Sequence, residues 1–125
     1  MSLLKRVGDW WWQVRAGRKV RFIVCGDSGV SVDQASIAWD DIGAVLAYKR
    51  DCYAYDLICV GLVDRDGHVL AEISEQDAGY KDLVRELPIH LSGCLTLDEW
   101  FMKVAFPAFE TQATQLYRRQ PQPAA

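Results

Sequence analysis

An α+β fold is predicted: a strongly twisted antiparallel sheet of five or six strands, followed by two C-terminal helices packed on one of its faces. Three observations in the 125-residue chain point to it. Between residues 19 and 75, short apolar runs rich in Val, Ile and Tyr recur with turn residues between them, and connections this short cannot cross over, so neighbouring strands must run antiparallel. After Ser74 the apolar spacing lengthens to that of a helix. Two Ser/Thr-x-x-acid sequences, at Ser74 and Thr96, then read as helix starts.

Residues 1–18 form a basic, tryptophan-rich arm. Leu3, Leu4, Val7, Trp11 and Val14 fall near one helical face, which suggests a short helix that Gly8 weakens. Trp10, Trp11 and Trp12 are consecutive and cannot all face one way, so at least one is expected in solvent or against a partner. The strand region spans 19–75. Its first hairpin reverses over Gly26-Asp27-Ser28-Gly29, and the runs SIAW, IGAVLAYK, YDLICVGLVD and HVLAEIS follow, the last two joined by the hairpin signal Asp66-Gly67. Trp39, Ile42, Val45 and Leu46 are expected in the core.

Helices are expected within 76–118. The first, at 76–91, carries Tyr80, Leu83, Val84 and Leu87 on one face and should bend or end at Pro88. A second, at 97–118, starts at the Thr96–Glu99 box and is expected to kink or break at Pro107. Its aromatic face, including Trp100 and Phe101, is wide, and any excess that cannot be covered would form an apolar patch of the kind partners use. Residues 119–125 read as a disordered tail. The length fits a single domain, 1–125, with an ordinary hydrophobic core.

Half of the residues are hydrophobic and a quarter charged, which excludes a disordered chain. No apolar run approaches the roughly 20 residues that cross a bilayer, and Lys5 and Arg6 interrupt any secretory core, so a cytoplasmic location is expected. The net charge of −3 is unevenly spread: residues 1–24 hold six Lys or Arg against one Asp, leaving eight bases against sixteen acids in the remainder. An acidic body argues against a nucleic-acid partner and suits a basic protein. Cys25, Cys52, Cys59 and Cys94 show no C-x-x-C spacing and read as reduced thiols, Cys59 as a small apolar strand residue.

The candidate site is the polar tip from Lys49 to Asp56, which a hairpin would close with Tyr53 and Ala54 in the loop and Asp51 opposite Asp56. Carboxylates so paired can share a proton or hold a cation, but Lys49 and Arg50 beside them balance the charge and favour recognition over catalysis. Asp40, Asp41, Asp51, Tyr53 and Asp56 are the expected acceptors for Lys or Arg on a partner. His68 and His90 have no nearby ligand or nucleophile in sequence, Asp64-Arg65-Asp66-Gly67 lacks the remainder of a calcium loop, and Gly26-Asp27-Ser28-Gly29 is a turn rather than a protease motif. No metal and no cofactor are expected.

At Trp39, Ile42, Tyr48-Lys49, Asp51, Asp56, Ile73-Ser74-Glu75, Trp100 and Phe106-Pro107-Ala108-Phe109-Glu110 the chain resembles small uncharacterised bacterial proteins. Its size and acidity are similar to those of immunity proteins that neutralise toxins, and a sheet followed by a helix is similar to a pleckstrin-homology-like domain, although two closing helices and the basic arm depart from the latter. The resemblance implies non-catalytic binding of a protein, or self-association, through an acidic surface. Two alternatives stand beside it: a small hydrolase or transferase at the Asp51/Asp56 hairpin using Cys52 or His68, and a peripheral membrane protein anchored by the arm.

Overall fold

Each early chain reversal stands where the turn residues are. In the computed structural model, which describes residues 20–51, 56–105 and 113–120, β1 (Ile23–Cys25) turns over Gly26, Asp27 and Ser28 into β2 (Gly29–Val32). Asp33 and Gln34 then reverse the chain into β3 (Ala35–Ala38), with Asp33 in the left-handed region at φ 54°. Asp tolerates this conformation better than most residues, and its Oδ1 accepts the Phe22 N–H at 2.9 Å. The three strands form a meander in the order β1-β2-β3, with Ile23, Val30, Val32 and Ile37 buried on one face and Val24 exposed on the other.

A one-turn 3-10 segment, Trp39–Asp41, separates this meander from a second sheet. Trp39 is buried, donates from Nε1 to the Gly26 carbonyl at 2.8 Å and stacks on His90 at 4.4 Å, so it anchors the chain where the strands change sheet. The second sheet contains β4 (Ile42–Asp51), β5 (Asp56–Asp64), β6 (Val69–Ser74) and β7 (Thr114–Arg118), all antiparallel, in the order β6-β5-β4-β7. The expected single sheet of five or six strands is therefore corrected to two sheets, of three and four strands. The α+β class and antiparallel pairing stand.

The helices are α1 (Tyr80–His90) and α2 (Leu97–Ala105). The Ser74 box opens a turn rather than a helix: Asp77 Oδ2 accepts the Ser74 N–H and Ser74 Oγ accepts the Gln76 N–H. α1 begins later, after Gly79. There the chain runs against β1, with Ile23 N–H donating to Ala78 O and Ala78 N–H to Arg21 O, and a Cβ on Gly79 would stand 2.0 Å from the Ile23 carbonyl. With φ at +94° as well, only glycine fits. Pro88 does not end α1, which continues to His90. The Thr96 box is formed, with Glu99 Oε1 accepting both the Thr96 N–H at 2.9 Å and its hydroxyl at 3.0 Å.

The expected helix over 97–118 is the second correction, since residues 114–118 are strand β7 and the described helix covers Leu97–Ala105. β4 is long and apolar, and without β7 the free donors and acceptors of one edge would lie open beside the core. Pairing there satisfies them and buries Leu116 and Tyr117. Arg119, assigned by sequence to a disordered tail, is also held: its N–H donates to Gly43 O at 2.8 Å, and its guanidinium donates to Ile42 O at 3.0 Å and Trp39 O at 2.9 Å.

One continuous core joins the inward faces of both sheets to the buried residues of both helices, among them Val45, Val60, Leu62, Ile73, Leu83, Leu87, Trp100 and Leu116. A smaller cluster, Tyr48, Leu57 and Cys59, lies on the opposite face of the four-stranded sheet with Leu46 packed against it. Cys59 is buried there as a small strand residue, and Trp39, Ile42 and Val45 take the core positions their pattern assigns.

Candidate functional site

The tip of the β4–β5 hairpin pairs as its sequence requires, with Asp51 opposite Asp56 at the end of the ladder. Cys52 and Tyr53 lie outside the described residues, as does the arm at 1–18. Lys49 is buried on the core face of β4, and its Nζ donates to the carbonyl of Ala105 in α2 at 3.2 Å. Asp40 and Asp41 are exposed on the 3-10 segment, where the Asp40 carbonyl receives Arg65 Nε and Nη2 at 3.0 and 2.8 Å.

His68 lies at the far end of the same ladder, beyond Asp64, which pairs with Ile42. Eight residues of strand separate Asp56 from Asp64, roughly 26 Å at about 3.3 Å per residue, so His68 shares no site with the Asp51–Asp56 tip. It sits instead with Asp64 and Asp66 on the β5–β6 turn. Asp64 is committed to that turn: Oδ1 accepts the Asp66 and His68 N–H groups at 2.9 and 2.8 Å, which holds its carboxyl below the usual range. The four residues from Asp64 make a hairpin turn, as read from sequence. His90 is occupied by Trp39 on its face and by Glu86 at 3.1 Å.

The outer face of the four-stranded sheet holds an acid that sequence reading overlooked. Glu72 lies in register with Gly61 and Leu46, and Tyr48 with Cys59 and Ser74. Because Gly61 has no side chain, the Tyr48 ring can lean across it toward Glu72, with its Cε1 3.4 Å from where a Cβ would be. Glu72 is 0% exposed, Arg50 Nη1 stands 3.9 Å from its Oε2, and neither carboxyl oxygen has a well-formed hydrogen bond. Burial pushes this carboxyl up to about 7, against the opposing influence of Tyr48, Arg50, Cys59 and Arg21. Burial and the Glu72 charge likewise raise the Tyr48 phenol. Glu72, Tyr48 and Cys59 are too deeply enclosed to meet a substrate, so the cluster belongs to folding energetics. The signal in sequence was one acid in an otherwise strand-apolar run, HVLAEIS.

An accessible site lies between the helices. α1 buries Leu83, Val84 and Leu87, and α2 buries Trp100 and Val104, but each carries more apolar surface than the core can take. Ile89 on α1 is 69% exposed, and Leu97, Phe101 and Met102 on α2 are 42%, 38% and 59% exposed. Ile89, Leu97 and Phe101, with Val84 and Pro88 below, line a mainly apolar groove of about 730 Å³. Its charged lining residues are Lys81 and Arg85 on α1, Asp98 on α2, and Glu75 ahead of α1. The sequence signal was the excess aromatic width of the second helix, although Ile89 gave none.

Comparison with known protein families, with curated proteins and with solved structures finds no match for this chain. Its function is therefore argued from geometry alone.

Proposed function

We propose that this protein is a non-catalytic protein-binding domain that takes an amphipathic segment of its partner into the α1/α2 groove. The observation that carries the reading is the exposure of Ile89, Leu97 and Phe101 around a cavity large enough for several side chains. Burying a large apolar side chain contributes about 1.5–3 kcal/mol, so two or three anchors at helical spacing supply useful affinity. The charged lining defines the partner further. A basic residue on the segment meets Asp98 and an acidic one meets Lys81, which sets direction more than strength. Exposed Asp40 and Asp41, with Asp51, Tyr53 and Asp56, remain the proposed acceptors for a wider basic partner surface, and a cytoplasmic setting fits a chain of reduced thiols. Among the described residues no helix is long and apolar enough to cross a membrane.

The test is selection of binders from a random peptide library on the wild-type chain, followed by mapping of amide shifts. The expected binders are amphipathic, perturb Thr96 to Phe101 and Lys81 to Ile89, and are lost with Ile89→Asp, which changes a solvent-exposed position. Binders that map away from both helices, or that keep their affinity for Ile89→Asp, would refute the groove.

A further inference from the structure

A second cavity, of about 460 Å³, lies at the other end of the four-stranded sheet, where β7 leaves β4 and the β5–β6 turn closes over it. Gly43, Asp64, Gly67 and Gln115 contribute to its wall, and so do Arg65, Arg118 and Arg119. These arginines differ from the others. Among the described residues, Arg21 pairs with Asp77 at 3.0 Å, Arg50 with Glu72 at 3.9 Å and Arg85 with Asp82 at 2.8 Å. The three described arginines without an acidic partner are the three on this cavity.

Two of them are pre-positioned. Arg65 is fixed by the Asp40 carbonyl, and Arg119 by the carbonyls of Ile42 and Trp39 and by the Tyr117 ring 5.8 Å away. A carbonyl orients a guanidinium without cancelling its charge, and each of these groups uses only two of its five donors on the fold. Arg118 is exposed, and its side chain makes no hydrogen bond or ion pair among the described residues. Asp64 is the one acid on the wall, and its oxygens are engaged by its own turn and by His68 at 3.5 Å. Among its described residues, a protein with more acids than bases has thus gathered the arginines without an acidic partner around one concavity of ligand size.

We propose that this cavity binds the phosphate dianion, either free or as the end group of a small monoester. Three guanidinium groups exceed what a monocarboxylate can use, whereas a phosphate offers three acceptor oxygens and close to two charges. The site is independent of the helix groove.

The experiment is titration of the full-length, ¹⁵N-labelled chain with inorganic phosphate, ribose 5-phosphate and ribose at constant ionic strength. Saturable shifts at Gly43, Gly67 and Arg118 are expected with one or both phosphates and none with ribose, and the tighter phosphate identifies the source. Arg118→Ala is expected to weaken binding by about tenfold, the loss of one charge-assisted contact, with an unchanged unfolding midpoint because Arg118 supports no other group. Arg118→Lys should restore part of it. Absence of saturable shifts at millimolar phosphate, shifts located elsewhere, or equal binding by Arg118→Ala would each overturn the proposal.

Discussion

Replacing Glu72 by Gln is expected to remove most of the protein's pH dependence between weakly acidic and neutral solution. The carboxyl titrates near its ordinary 4.5 in the unfolded chain and near 7 in the fold, because burial penalises the charged form more than Arg50 and Arg21 favour it. A group whose folded value is raised stabilises the fold fully below the unfolded value, and that stability is lost as pH rises through the folded one. Between pH 4.5 and 7 the unfolded chain releases this proton while the folded chain retains it, so stability falls by about 1.4 kcal/mol per pH unit, some ~3 kcal/mol altogether. Glutamine keeps the shape and cannot ionise. Urea unfolding from pH 4.5 to 8.5 is the assay. Wild type and Glu72→Gln should be nearly equal at the acidic end, and the variant should be the more stable by about 3 kcal/mol at the alkaline end. Parallel profiles for the two proteins would refute the reasoning, since they would place the buried carboxyl's titration outside this window.

Two further substitutions test the architecture. Gly79→Ala puts a Cβ against the Ile23 carbonyl at a positive φ, and a loss of at least about 2 kcal/mol in urea unfolding is expected. An unchanged midpoint would mean that α1 does not start against β1. Leu116→Ala should cost about 2–4 kcal/mol while Gln115→Ala stays within about 0.5, because one side chain is buried in β7 and its neighbour is exposed. Similar costs at both positions would count against the strand.

What was legible before the structure was local. The turns at Gly26 to Ser28 and at Asp66-Gly67, the Asp51–Asp56 register and the Thr96–Glu99 cap each rest on contacts within a few residues of one another, so the side chains present dictate the geometry wherever the segment is placed. The candidate site was legible only in part. Asp51 and Asp56 face one another along the backbone as read, while the burial of Lys49 and its contact with Ala105 could not be read from the residues beside it in sequence. Ile89 and Phe101 could be assigned to amphipathic helices, yet which apolar residues remain uncovered depends on how much of each face the sheets reach.

By itself, then, the sequence determined an α+β chain of antiparallel hairpins followed by helices, since periodicity and turn chemistry act over short distances. Tertiary structure alone decided that there are two sheets, that 114–118 is a strand, that Glu72 is enclosed, and that Arg65, Arg118 and Arg119 meet around one cavity. For the strand and the arginines the physical reason is one long-range pairing. An open β4 edge draws in residues about 70 positions later because unpaired backbone groups beside a core are costly, and that single long-range pairing outweighs the weak helical preference of the segment it recruits. It also brings Arg118 and Arg119 beside Arg65, a juxtaposition that no local pattern announces.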